Sequence, residues 1–80
     1  MKFPGQKLFG AVGGEIIRFT PTGVEPLSLA RASDLHRWSL GELLTAARCG
    51  NAEAVAFHKM VEEQLREAIA ARRDWRRCAG

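Results

Sequence analysis

The segment AARCGNAEAV, residues 46–55, contains the turn that decides the fold of this 80-residue chain. Glycine is the commonest residue directly after a helix, because it adopts the left-handed backbone conformation that ends one. Asparagine is a favourable N-cap, since its side chain accepts a hydrogen bond from an amide in the first turn. Gly50 followed by Asn51 therefore predicts a helical hairpin. Its first helix ends at Cys49 and its second begins at Ala52.

The second helix is predicted to be long, because residues 52–77 contain neither proline nor glycine and are rich in good helix formers. Its side chains form an apolar stripe and, on the opposite side, a basic stripe. The apolar stripe comprises Phe57, Ala68 and Trp75, with Ala54, Met60, Val61, Leu65 and Ala71 beside them, and the basic stripe comprises Lys59, Arg66, Arg73 and Arg77. At about 1.5 Å per residue the helix measures nearly 40 Å, whereas a globule of this size is roughly 30 Å across. Its last turns are therefore expected to project, with Trp75 covered by the hairpin, by the Trp38 segment or by another chain.

The residues before the corner predict two short helices over residues 33–49. Ser33 is a candidate cap for a helical turn over residues 34–38. Ser39 to Glu42 then has the S-x-x-E form of a capping box, which predicts a separate helix over residues 40–49.

A β-hairpin is predicted over residues 7–20, because Gly13-Gly14 suits a two-residue turn between two apolar segments. This turn pairs Val12 with Glu15. The face expected to form the core carries Leu8, Val12, Ile17 and Phe19, and the other carries Phe9, Ala11, Ile16 and Arg18. The second face is more apolar than a solvated face should be, so either further elements of the chain or a partner must cover it.

A third strand over residues 24–30 remains open, because Pro26 confines it to a sheet edge or makes it merely extended. The predicted class is α+β: an N-terminal β-hairpin, or a three-stranded meander, packed on a helical hairpin with a long C-terminal helix. We expect one domain over residues 1–80, with the meander region at 7–30, short helices at 33–49 and the long helix at 52–77.

The positive charge of the chain is concentrated at its C-terminal end. The chain has 12 basic and 9 acidic residues, a formal net charge of +3. Residues 1–64 hold equal numbers of both, so the surplus lies in residues 65–80. Its arginines there are Arg66, Arg72, Arg73, Arg76 and Arg77.

Several functional classes are disfavoured by the sequence. No apolar run is long enough for a membrane span and the N-terminus lacks a secretory signal, so we expect a cytoplasmic protein with no membrane partner. His36, His58, Cys49 and Cys78 lack the spacing of a metal site, and neither a cofactor nor catalysis is expected. An internal disulfide is excluded if the helix between the cysteines is straight. The preference for arginine over lysine suits a bacterial or bacteriophage gene.

The leading functional prediction is a non-catalytic small accessory or inhibitory protein that acts by protein–protein binding and forms a homo-oligomer through its long helix. The candidate partner-binding residues are Trp75, Arg72, Arg73, Arg76, Arg77, Phe9, Ile16 and Trp38. The alternative is a nucleic-acid-binding regulator, in which the four arginines of residues 72–77 contact phosphates and Trp75 stacks on a base.

Overall fold

The computed structural model describes the backbone of residues 7–79 and the side chains of residues 7–77. The elements are β1 (Phe9–Val12), β2 (Glu15–Thr20), β3 (Gly23–Leu27), α1 (Leu29–Cys49) and α2 (Ala52–Ala79). The strands form one antiparallel sheet in the order β1-β2-β3. The predicted α+β class, a meander followed by a helical hairpin with a long second helix, is confirmed.

The β1–β2 hairpin turns at Gly13 and Gly14, whose φ values are 59° and 82°. Both lie in the left-handed region, which glycine adopts without steric cost and which suits the twist of a tight hairpin. Val12 faces Glu15 across the turn, so the predicted register is confirmed. The third strand is also formed, and it lies at the edge of the sheet, where Pro26 is tolerated.

The main core cluster forms on the hairpin face opposite to the predicted one, although Ile17 of the predicted face is also buried and Leu8 packs against the cluster. Phe9 and Ile16 are buried against α2, whereas Val12 is 62% exposed. The reason lies outside the hairpin: β3 places Leu27 opposite Ile16 and so extends the apolar surface on that face. This core cluster comprises Phe9, Ile16, Ala32, Val61, Leu65, Ala68 and Ile69. Phe9 and Ile16, predicted to bind a partner, are therefore used inside the chain.

The first helix is one continuous element, so the prediction of two short helices is wrong. Its N-cap is Ser28, whose Oγ accepts a hydrogen bond from the Arg31 amide at 3.1 Å. Ser39, which matches a capping box locally, is fully buried in the middle of the helix. Its hydroxyl donates to the main-chain carbonyl of His58 on α2 at 3.1 Å, so the serine joins the two helices instead of starting one.

The helices α1 and α2 pack through small side chains. The buried residues of α1 are Ala32, Ser39 and Ala46, which recur at every seventh position and so lie on one face. Small side chains at these positions let the larger Leu65 and Val61 of α2 fill the space between the elements.

The corner between the helices follows the prediction. Gly50 has a φ of 72° and its amide donates to the carbonyl of Ala47 at 3.2 Å, while the Asn51 amide donates to Ala46 at 3.0 Å. The side chain of Asn51 then accepts from the amide of Ala54 at 3.1 Å, which caps α2. From this corner α2 runs for 28 residues along a molecule that measures 45 × 25 × 17 Å. Within the described residues, none of the helices has the length and apolar character needed to cross a membrane.

The start of β1 is held to α2 by a side-chain amide. Oε1 of Gln64 accepts hydrogen bonds from the main-chain amides of Leu8 at 2.8 Å and Phe9 at 3.0 Å. The sheet is thereby fixed to the helix by polar contacts at its edge as well as by apolar contacts at its centre.

We expect Ser39→Leu to lower the free energy of unfolding by about 2 kcal/mol, because the closely packed helices have no space for a larger side chain. Ser39→Ala removes only the hydrogen bond to His58 and is expected to cost about 1 kcal/mol. Urea denaturation followed by circular dichroism measures both. A Ser39→Leu variant as stable as the wild type would contradict the close packing.

Candidate functional site

The end of α2 contacts the turn of the β-hairpin. Nη1 of Arg72 donates to the main-chain carbonyl of Gly14 at 2.9 Å. The indole of Trp75 lies directly on Gly14, so that a Cβ at this position would overlap the ring. Of the three covers considered for Trp75, the structure shows the hairpin. The cover is partial, because Trp75 remains 51% exposed.

A groove with arginines at its rim lies between α1 and α2, and we call it the basic groove. Its volume is about 380 Å³. Its lining residues are Ser33, His36, Arg37 and Leu40 from α1, and Arg66, Ile69, Ala70 and Arg73 from α2. The two helices run antiparallel, and for this reason arginines separated by about 30 positions in the sequence lie around one groove.

The charges of the basic groove are only partly neutralised. Glu62 lies at its edge, where its carboxylate accepts a hydrogen bond from Nε2 of His36 at 3.0 Å and pairs with Arg66 at 3.4 Å. Glu62 and Arg66 are four positions apart on α2, a spacing at which opposite charges on a helix meet. Arg37 and Arg73 form no ion pair with any of the described residues, so the groove keeps an excess of positive charge.

The outer face of α1 adds exposed leucines to this positive surface. The outer face of α1 is defined here by the exposed residues Arg37, Leu40, Leu44 and Arg48. They lie three or four positions apart and so share one side of the helix. Leu40 is 40% exposed and Leu44 is 62% exposed. Leu40 also lines the basic groove with Ile69, so the groove and the outer face of α1 form one continuous surface.

The predicted partner-binding residues are distributed over several surfaces. Arg73 lines the basic groove, whereas Arg72 and Trp75 lie on the hairpin side of α2. Arg76 and Arg77 are exposed near the end of the helix. Residues 73 and 75 point to different sides because residues two positions apart on a helix differ by about 200° in direction. Sequence reasoning missed Arg37, since its place beside α2 depends on the pairing of the two helices.

Trp38 lies at a second, apolar groove on the other side of α1. This groove has a volume of about 340 Å³ and is lined by Leu8, Phe9, Arg18, Phe19, Leu35, Trp38, Phe57 and Val61. The ring of Trp38 meets His58 edge to face, with 5.3 Å between the centroids, and Phe57 meets the same imidazole at 5.2 Å. Trp38 is 52% exposed, and Nδ1 of His58 is buried without a hydrogen-bond partner among the described residues.

The potential metal ligands and the Cys49 thiol do not combine into one site in the described part of the chain. Among residues 7–77 no group of three or more histidine, cysteine or acidic side chains is placed to hold a metal ion. Cys49 is a free, exposed thiol. Cys49 is the last residue of α1 and lies close to the start of α2. Cys78 lies near the other end of α2, about 40 Å away at 1.5 Å per residue.

No protein family, curated protein or solved structure matches this chain. The surfaces described above are therefore the basis for any functional proposal.

We expect Gly14→Ala to lower the free energy of unfolding by about 3 kcal/mol, because it combines an unfavourable positive φ with displacement of the Trp75 indole. Gly13→Ala is the matched control, since Gly13 shares the left-handed conformation but has open space around it, and about 1 kcal/mol is expected. In a Trp75→Ala background the cost of Gly14→Ala should fall to that of the control. Equal costs of Gly14→Ala in both backgrounds, measured by urea denaturation, would contradict the contact.

Proposed function

We propose that this protein is a non-catalytic accessory or inhibitory protein that acts by binding another protein through the outer face of α1 and the adjoining basic groove. The observation that carries the proposal is the exposure of Leu40 and Leu44 between Arg37 and Arg48. A single exposed leucine is ordinary in a soluble protein. Two leucines on one side of a helix, bordered by arginines, resemble in composition the apolar centre and polar rim of a protein interface.

Self-association through the end of α2 is a second mode of the same proposal. Its support is the half of the Trp75 indole that the hairpin leaves exposed. Most of the apolar stripe of α2 is occupied inside the chain, because Val61, Leu65 and Ala68 belong to the core. A homo-oligomer formed by this helix would therefore depend on Trp75.

Nucleic-acid binding is the second candidate function, and the arginines of the basic groove favour it. Arg73 lies at the groove, and Arg76 and Arg77 extend the positive charge toward the end of α2. The aromatic part of that hypothesis loses support, since Trp75 lies against Gly14 on the other side of the helix. We therefore rank it below protein binding.

The proposal includes a cytoplasmic location in a bacterium or in a cell infected by a bacteriophage. The exposed thiol of Cys49 supports a reducing compartment, because free exposed cysteines are prone to oxidation outside one. The preference for arginine over lysine supports the origin.

A pull-down from a lysate of the source organism tests the proposed binding surface. We expect the wild type to retain a protein that Leu44→Ser loses, because removal of the exposed leucine weakens the contact by about tenfold. Val24→Ser is the matched control, since Val24 is similarly exposed but lies on β3. The retained protein should survive nuclease treatment. Equal retention by all three baits, or loss on nuclease treatment, would contradict the proposal.

Light scattering over a concentration series tests self-association. We expect the mass to rise above the 8.8 kDa of one chain as the concentration increases, and Trp75→Ala to prevent the rise. Arg72→Ala is the control, because it breaks the other contact of α2 with Gly14 but keeps the indole. A constant mass of 8.8 kDa for the wild type would rule out this mode.

A further inference from the structure

We infer that the basic groove binds a short acidic segment of a partner protein that also carries an apolar side chain, an inference that rests on the proposed function and specifies its partner. The groove offers two features that such a segment would satisfy together: arginines that lack a counter-charge and apolar lining residues. Each feature favours a different part of the same ligand.

The arginines favour carboxylates. Arg37 and Arg73 approach the groove from opposite helices and have no acidic partner among the described side chains, while Arg66 is already paired with Glu62. A guanidinium group donates two parallel hydrogen bonds to a carboxylate, which gives such pairs both strength and a defined geometry. Two carboxylates on the ligand, one for each helix, would neutralise the unpaired arginines.

The apolar residues of the groove favour an apolar side chain between those carboxylates. Leu40, Ile69 and Ala70 line the groove, and the neighbouring Leu44 extends the apolar surface along α1. The lining spans residues 33–40 of α1 and residues 66–73 of α2, which at 1.5 Å per residue is about 10 Å along each helix. This length matches about two turns of a ligand helix, enough for one or two apolar side chains flanked by acidic ones.

A second copy of the chain fits this surface poorly. The outer face of α1 carries Arg37 near one end and Arg48 near the other. When the full length of this face pairs symmetrically with itself, Arg37 of one copy lies near Arg37 or Arg48 of the other, and like charges in contact are unfavourable. Charge complementarity therefore selects an acidic partner.

Nucleic acid is also a poorer match for the groove than an acidic segment. Among the described residues that line the groove there is neither tryptophan nor phenylalanine, so the large aromatic rings on which single-stranded nucleic acid commonly stacks are missing from this lining. A sugar-phosphate chain would also leave Leu40 and Ile69 without an apolar contact.

Fluorescence anisotropy with a labelled synthetic peptide tests the inference on the full-length protein. The probe is a peptide of about 15 residues with leucines on one face of a helix and glutamates on both flanks, a length at which isolated helices begin to form. A scrambled peptide of the same composition and a single-stranded oligothymidine are measured in parallel. We expect the amphipathic peptide to bind at least about tenfold more tightly than the scrambled one.

Charge reversal at the groove is compared with charge reversal elsewhere on the same helix. Arg37→Glu is expected to weaken peptide binding by at least about tenfold, because it removes one carboxylate partner and adds a repulsive charge. Arg31→Glu is the matched control, since Arg31 is exposed on α1 but does not line the groove. Leu40→Ala should weaken binding of the peptide several-fold and leave binding of the oligonucleotide unchanged. Thermal melting followed by circular dichroism checks that each variant is folded, and Arg37→Gln replaces Arg37→Glu if that variant is not.

Two results would overturn the inference. Equal weakening by Arg37→Glu and Arg31→Glu would mean that binding reflects overall charge and not this groove. Tighter binding of the oligonucleotide than of the peptide, insensitive to Leu40→Ala, would assign the groove to nucleic acid. If Leu44→Ser loses a partner protein in the pull-down while Arg37→Glu leaves peptide binding unchanged, the inference about acidic chemistry fails and the proposed function stands. If Arg37→Glu weakens peptide binding but Leu44→Ser loses no partner protein in the pull-down, the proposed function fails.

Discussion

The close approach of α1 and α2 at Ser39 is the contact on which the rest of the structure depends. The buried hydroxyl of Ser39 donates a hydrogen bond to the main-chain carbonyl of His58. Because the serine side chain is short, this bond requires that the two helix backbones come near each other at that point. Ala32 and Ala46, one heptad to either side, keep the helices close along their length. Because α1 is held on one side of α2, the other side is free to receive the sheet, and the arginines of both helices border a single groove.

Signals that act over a few residues predicted much of this fold. The Gly50-Asn51 corner, the Gly13-Gly14 turn and the edge position of Pro26 depend on backbone preferences that each residue carries wherever it occurs. The helix start predicted at Ser39 was wrong, because a capping box and a buried contact between helices can use the same hydroxyl. Only the position of α2 distinguishes the two roles. The core face of the hairpin was likewise determined by elements outside the hairpin, namely α2 and β3.

The candidate site shows the same division between local and long-range information. The arginine surplus marked the end of α2, and helical periodicity alone separates Arg73 from Trp75. The groove also required Arg37, whose segment was predicted as a short helical turn and whose neighbours on α2 could not be identified without the antiparallel pairing of the two helices. A surface assembled from two elements is thus visible in the sequence only as two unrelated halves.

The hydrogen bonds of Gln64 also determine how other chains can approach. An exposed sheet edge presents unpaired main-chain groups, and these can recruit a strand from another molecule and begin aggregation. At one edge of this sheet the Gln64 side chain occupies the amides of Leu8 and Phe9, and at the other edge Pro26 interrupts the row of donors. Growth by strand addition is disfavoured at both edges, so a chain of this size can expose apolar side chains on its helices with a lowered risk of forming fibrils.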